Sequence, residues 1–146
     1  MGDKEIYLLK KENVIQISGK KLLKAGFKPD RVIEHVLARE AKTGLEINLI
    51  FTDNAYIKRI NLEYRMKNYA TDVISFESAN GGDILISVEK AKEQAKEYGI
   101  SPGEELTRLL VHGAMHVLGY DHIKAADRVK MEAKEKKYMR ELLEKK

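Results

Sequence analysis

The chain contains no cysteine. Disulfides are thereby excluded, and so are thiolate metal sites, so any metal must be held by nitrogen and oxygen. The absence fits a reducing cytoplasm. No apolar run approaches the roughly 18 residues of a membrane span. The opening Met1-Gly2-Asp3-Lys4-Glu5-Ile6 carries no apolar signal core. A strong excess of one charge is also missing: 27 Lys and Arg against 23 Asp and Glu leave a net +4. That balance permits an anionic partner such as nucleic acid but does not argue for one. These absences predict a cytoplasmic protein without membrane contact. What is present is 146 residues, 43% apolar and 34% charged, the balance of a single globular domain able to bury a core without covalent staples.

Periodicity divides the chain into elements. Short apolar runs at Ile6-Tyr7-Leu8-Leu9 and Val14-Ile15-Gln16-Ile17 fit strands, although the second could also lead into a helix. Pro29-Asp30 looks like a helix start; Val32, Ile33, Val36 and Leu37 follow at helical spacing, and Thr43-Gly44 would end the helix. Leu45 to Phe51 alternates as a strand. Thr52-Asp53 offers an N-cap to a helix whose apolar side is marked by Ile57, Ile60 and Tyr64. After a polar loop, Val73 to Phe76 and Ile84 to Ile86 pair as a hairpin through a loop containing Glu77 to Gly82, with Gly81-Gly82 as the turn. Ser87 caps a helix that Gly99 stops. Ser101-Pro102-Gly103-Glu104 opens another, so apolar in its second half that it should be buried. The last helix, about Ala125 to Leu143, sets Lys130, Lys134, Lys136, Lys137 and Arg140 among Glu132, Glu135 and Glu141, which reads as a solvated face with i,i+4 pairs. The order predicts an α+β fold: one mixed sheet of about four strands with about five helices packed on it.

Three of the four histidines fall between His112 and His122. His112 and His116 stand at i and i+4, so a helix puts them on one face. Gly119 can stop that helix in a left-handed turn and send His122 back toward the other two. Two imidazoles from the helix and one from the loop after it make a three-nitrogen metal site with an open fourth position, as a catalytic metal needs. The competing reading is a pair of hydrogen-bonded core histidines. Three neutral ligands leave the full +2 charge on a zinc and bring the pKa of a bound water to about 7, although nickel, copper and iron also bind imidazole. The spacing His-x-x-x-His-x-x-Gly-x-x-His is that of the metzincin proteases. Those carry Glu after the first His as general base, where this chain has Gly113. His35 lacks any such pattern and reads as structural or exposed. Asp121 either orients an imidazole or caps the turn. Asp72 reads as a turn residue and Asp83 as holding the Gly-Gly turn.

The stretch His112-Gly113-x-x-His116-Val117-x-Gly119-Tyr120-Asp121-His122 resembles the signature of the YbeY family of bacterial endoribonucleases and ribosomal RNA maturation factors, with Val117 for the usual Leu. Ile60-Asn61 with Tyr64-Arg65, then Thr71-Asp72-Val73-Ile74-Ser75-Phe76, and then Gly82-Asp83-Ile84 are similar to further family segments, in the same order. The resemblance implies an α+β fold and one zinc per chain, held by His112, His116 and His122. It implies single-strand endoribonuclease activity linked to 16S ribosomal RNA 3′-end maturation and 70S ribosome quality control. The expected partners are ribosomal RNA and the small subunit or its assembly factors. Arg65 and His112 are the expected catalytic residues, with Arg65 and Ser75 binding substrate. From the residues alone, Arg65 reads as a solvent-facing residue at a helix end. Two other functions fit parts of the pattern: a metallopeptidase-like hydrolase, which Gly113 disfavours, and a non-catalytic ribosome-assembly factor with a structural zinc, which would require a fourth protein ligand.

Overall fold

A computed structural model describes residues 12–120 and 123–144. Four strands, β1 (Val14–Ser18), β2 (Glu46–Thr52), β3 (Val73–Ser78) and β4 (Gly81–Ser87), form one sheet in the order β1-β2-β4-β3. β1, β2 and β4 are parallel, and β3 runs antiparallel to β4. Five helices, α1 (Pro29–Arg39), α2 (Asn54–Arg65), α3 (Val88–Tyr98), α4 (Pro102–Val117) and α5 (Ala125–Glu144), complete the α+β architecture. The apolar run Ile6 to Leu9 lies outside the described residues. Among those described, no helix is long and apolar enough to cross a membrane.

Helices cover the sheet unequally. Ile47, Leu49, Phe51, Ile84 and Ile86 meet α1, α3, α4 and α5 in the main core. On the other face, among the described residues, only α2 contributes, its Ile57 packing on Ile74 and Leu85. With helices on both sides, central β4 buries successive residues, Ile84, Leu85 and Ile86, as strands covered on two faces do. The second half of α4 is buried nearly all round, as its composition requires. Along β3 the period of two sends Ile74 toward α2 and turns Ser75 toward α4, where its hydroxyl donates to the Gly113 carbonyl at 3.4 Å.

Four local expectations need correction. α1 ends at Arg39, before Thr43-Gly44, because Ala41 takes the left-handed position at φ 55° and Lys42 N–H closes on the Leu37 carbonyl at 2.9 Å. The hairpin turn is Ala79-Asn80; Gly81 and Gly82 are already paired in β4. They are glycines for another reason: a Cβ on Gly81 would run into the Glu46 carbonyl, and one on Gly82 into that of Phe76. Asp83 holds no turn, and instead accepts from Asn48 Nδ2 across β2 and β4 at 2.8 Å. Tyr64, expected on the apolar side of α2, is 62% exposed.

Candidate active site

The histidines stand at the C-terminal end of α4, whose termination sets their direction. Gly119 adopts φ +96°. Its N–H donates to the His116 carbonyl at 2.9 Å, and that of Tyr120 to Met115 at 3.1 Å. This double closure satisfies the last carbonyls of the helix and turns the chain back. His112 and His116, half-buried, bring their Nε2 atoms to 3.1 Å with the rings nearly perpendicular. On the far side of His112, Nδ1 meets Glu135 Oε2 of α5 at 2.6 Å. A carboxylate only accepts, so the proton belongs on Nδ1, and Nε2 of a neutral His112 presents its lone pair toward His116.

These imidazoles open on a cleft of about 680 Å³. Ser75, Phe76 and Glu77 of β3 line it, with Thr71 and Asp72 before the strand, Tyr120 after α4, and Arg65 at the end of α2. Arg65 is placed by the way its helix stops. Met66 takes φ 57°, and buried Asn61 clamps the following loop by donating from Nδ2 to the Tyr69 carbonyl at 2.9 Å. Among the described residues Arg65 makes no hydrogen bond or ion pair. Asp72 is engaged, accepting from Val73 N–H at 2.7 Å and from Gln94 at 3.3 Å, so it does hold a turn as well as line the cleft.

Of the residues singled out from sequence, Arg65, Ser75, His112 and His116 thus share one cleft. His122 and Asp121 lie outside the described residues. Among those described, no group of three His, Cys, Asp or Glu is placed to hold a metal ion. The two imidazoles nevertheless fit one. Zinc–nitrogen bonds of about 2.0–2.1 Å at tetrahedral angles separate two ligand nitrogens by roughly 3.3–3.4 Å, close to the 3.1 Å observed. A carboxylate on the remote nitrogen is the usual support for a metal-binding imidazole.

The missing protease base has a steric explanation. A Cβ on Gly113 would lie 2.7 Å from Ile84 Cγ2 and 3.2 Å from Ser75 Oγ. Since Ile84 is fully buried and branched at Cβ, it cannot swing aside. Any side chain there forces Ile84 or α4 to shift, a glutamate more than an alanine. Gly113→Ala is expected to lower stability by about 1–3 kcal/mol through overpacking; unchanged thermal unfolding would mean that α4 can lift from the sheet at little cost.

α5 has the solvated face expected, with Lys130, Glu132, Lys136, Lys137 and Arg140 exposed, but it also has an inward face. Its residues Met131 and Tyr138 are buried, and Glu135 between them supports His112. Lys134 donates at 2.9 Å to Glu40, just beyond α1, and at 2.8 Å to the hydroxyl of Tyr120. Tyr120 donates to Glu40 at 2.7 Å, and Tyr138 donates to the same carboxylate. Burial pushes the Glu40 pKa up, but hydrogen bonds from Tyr138, Tyr120 and Lys134 outweigh it and hold the carboxyl below its ordinary 4.5. Burial, followed by the bond to Glu40, pushes the Tyr138 phenol up to about 12. Sequence reasoning missed Glu40, Glu135 and the cleft carboxylate Glu77. A signal for Glu135 existed: Met131, Lys134, Glu135 and Tyr138 recur at i, i+3, i+4 and i+7, a core-facing stripe with two charges inside it. His35, by contrast, is structural as expected, meeting Glu141 at 2.8 Å.

The profile of the family described as Endoribonuclease YbeY matches residues 11–143. A protein of that name from Bacillus licheniformis is 40% identical, over 75% of this chain and 80% of its own. Another, from Carboxydothermus hydrogenoformans, is 41% identical over the same shares, 75% and 80%. A solution structure of a protein from Thermotoga maritima superposes with a TM-score of 0.68 at 27% identity, covering 90% of this chain and 91% of that one.

Proposed function

Because the chain belongs to the YbeY family of endoribonucleases, we propose that it is a zinc-dependent endoribonuclease that cuts single-stranded RNA. In this reading it works in the cytoplasm, on the 3′ end of 16S ribosomal RNA and in ribosome quality control, with the small subunit or its assembly factors as partners. One zinc per chain would be held by His112, His116 and His122. The observation that carries the reading is the pair of imidazole nitrogens 3.1 Å apart, opening on a cleft that also contains Arg65.

When bound, the zinc supplies a Lewis acid for phosphoryl oxygens and a nucleophile at neutral pH. The chain's own residues do the rest. Arg65, whose side chain makes no ion pair among the described residues, offers a fork of donors to two oxygens of the scissile phosphate and stabilises the charge that grows in the transition state. The long bond from the Ser75 hydroxyl to the Gly113 carbonyl, 3.4 Å, is weak enough for that hydroxyl to turn to a phosphate oxygen. Glu135 holds the His112 ring in orientation and keeps its proton on Nδ1.

Metal analysis combined with cleavage of single-stranded RNA tests this. Wild type should carry about one zinc per chain and cut. His116→Ala should lose both properties. Arg65→Ala should keep the zinc while kcat falls about 100- to 1,000-fold, as for loss of one transition-state donor. Zinc-loaded wild type that leaves single-stranded RNA intact would sink the enzymatic reading and leave the structural-zinc factor standing.

A further inference from the structure

α2 leaves an unusual surface beside the cleft. Tyr64 is 62% exposed, Met66 88% and Tyr69 53%. Nothing in the fold requires large apolar groups at a helix end in water, and contiguous ones mark contact sites. Tyr64 is nevertheless held in place: its ring meets that of Phe76 edge-to-face, with centroids 5.5 Å apart and planes at 69°. Phe76 itself lines the cleft, as does Arg65, the neighbour of Tyr64 in sequence. An open aromatic ring is therefore braced on a cleft-wall residue, at the helix end that also carries Arg65.

We propose that Tyr64, braced by Phe76, is a stacking platform for one unpaired RNA base next to the phosphate held by Arg65. The proposal rests on the endoribonuclease reading and deepens it by naming what selects single strands. Along an RNA strand phosphates and bases alternate, and so here do a cation and an aromatic face. The segment that carries the ring suits that occupant: between residues 58 and 67 it has Lys58, Arg59, Arg65 and Lys67 against one acid, Glu63. A base inside a duplex is already stacked and paired on both sides and cannot reach the ring, whereas every unpaired base has a free face to offer. The platform would thus reject duplex without reading sequence.

The test compares wild type with Tyr64→Ala and Tyr64→Phe, using a single-stranded oligoribonucleotide and the same strand annealed to its complement. Zinc content and thermal unfolding are followed in each to show that the fold and metal are intact. Tyr64→Ala should raise KM for the single strand about tenfold or more, with a much smaller fall in kcat. The ratio of kcat/KM between single strand and duplex should drop by a similar factor. Tyr64→Phe should restore most of both, since stacking uses the ring and not the hydroxyl. An unchanged KM in Tyr64→Ala, or a Tyr64→Phe variant as impaired as Tyr64→Ala, overturns the platform while leaving the endoribonuclease reading intact. If wild type neither binds nor cuts any RNA, that reading itself falls and takes the platform with it.

Discussion

Alanine at His112 should lower RNA cleavage by about a thousandfold or more and remove most of the bound zinc. The expectation rests on two losses at one position. The imidazole that pairs with His116 at 3.1 Å disappears, and Glu135, which faced it at 2.6 Å, is left without its partner. In the proposed reading the zinc is what supplies a nucleophile at neutral pH, and that source goes with the metal. Glu135→Gln gives a graded control. The amide oxygen can still accept from Nδ1–H but no longer brings a negative charge to the ring, so zinc affinity should fall about 10- to 100-fold. Chelator competition measures the affinity, and cleavage at saturating zinc separates weak binding from weak chemistry. If Glu135→Gln holds zinc as tightly as wild type, the contact between α4 and α5 is a packing contact and Glu135 has no part in metal binding.

The second large effect is expected far from the cleft, at Glu40. Its side chain is only 5% exposed, and it accepts from Tyr120, Lys134 and Tyr138. Glu40→Ala leaves these donors facing a gap. Breaking a buried charged pair costs about 3–5 kcal/mol. Lys134, with 33% exposure, can recover some hydration, which favours the lower end. A loss of about 3 kcal/mol should lower Tm by roughly 10 °C in a domain of this size. Tyr138→Phe removes one donor and should cost about 1 kcal/mol. The pH dependence has a definite sign. Because the Glu40 pKa lies below 4.5 in the folded protein, its contribution is fully present above about pH 4.5 and is lost as the pH falls through the folded value. The stability gap between wild type and Glu40→Gln should therefore narrow on acidification below pH 4.5. A constant gap down to strongly acid pH would show that the carboxylate charge is not what holds the network. Glu40→Ala should also weaken zinc binding in the proposed reading, since it removes one of two side-chain hydrogen bonds that hold Tyr120, two residues before His122.

Much of the architecture was legible because it is governed by short-range physics. Asp53, Ser87 and Ser101 each accept from a backbone N–H three residues on, opening α2, α3 and α4 as their positions in sequence indicate. The i, i+4 spacing of His112 and His116 dictated a shared face, and Gly119 a reversal after it. Other features were misread because their cause is remote in sequence. Gly81 and Gly82 look like a turn, yet they are glycines because neighbouring strands press against them. Gly44 looks like the end of α1, yet the helix stops at Arg39 and Ala41, just after it, takes the left-handed position. α5 is solvated along the face its charges predict, but a Lys- and Glu-rich composition does not reveal that Lys134 and Glu135 turn inward.

By itself, the sequence determined the element order, the mixed α+β pattern, the pairing of two imidazoles and the family to which the chain belongs. The first three follow from propensity, capping and spacing within a few residues, and the family from the resemblance of motifs spread over residues 60 to 122. Only the tertiary structure decided that Arg65 and Ser75 share a cleft with those imidazoles, that Gly113 admits no side chain, and that Glu135 and Glu40 stand behind the histidine helix. Those outcomes depend on how the helices dock on the sheet. Partners 23 and 80 residues apart, as for His112 with Glu135 and Tyr120 with Glu40, meet only after the core has closed between them.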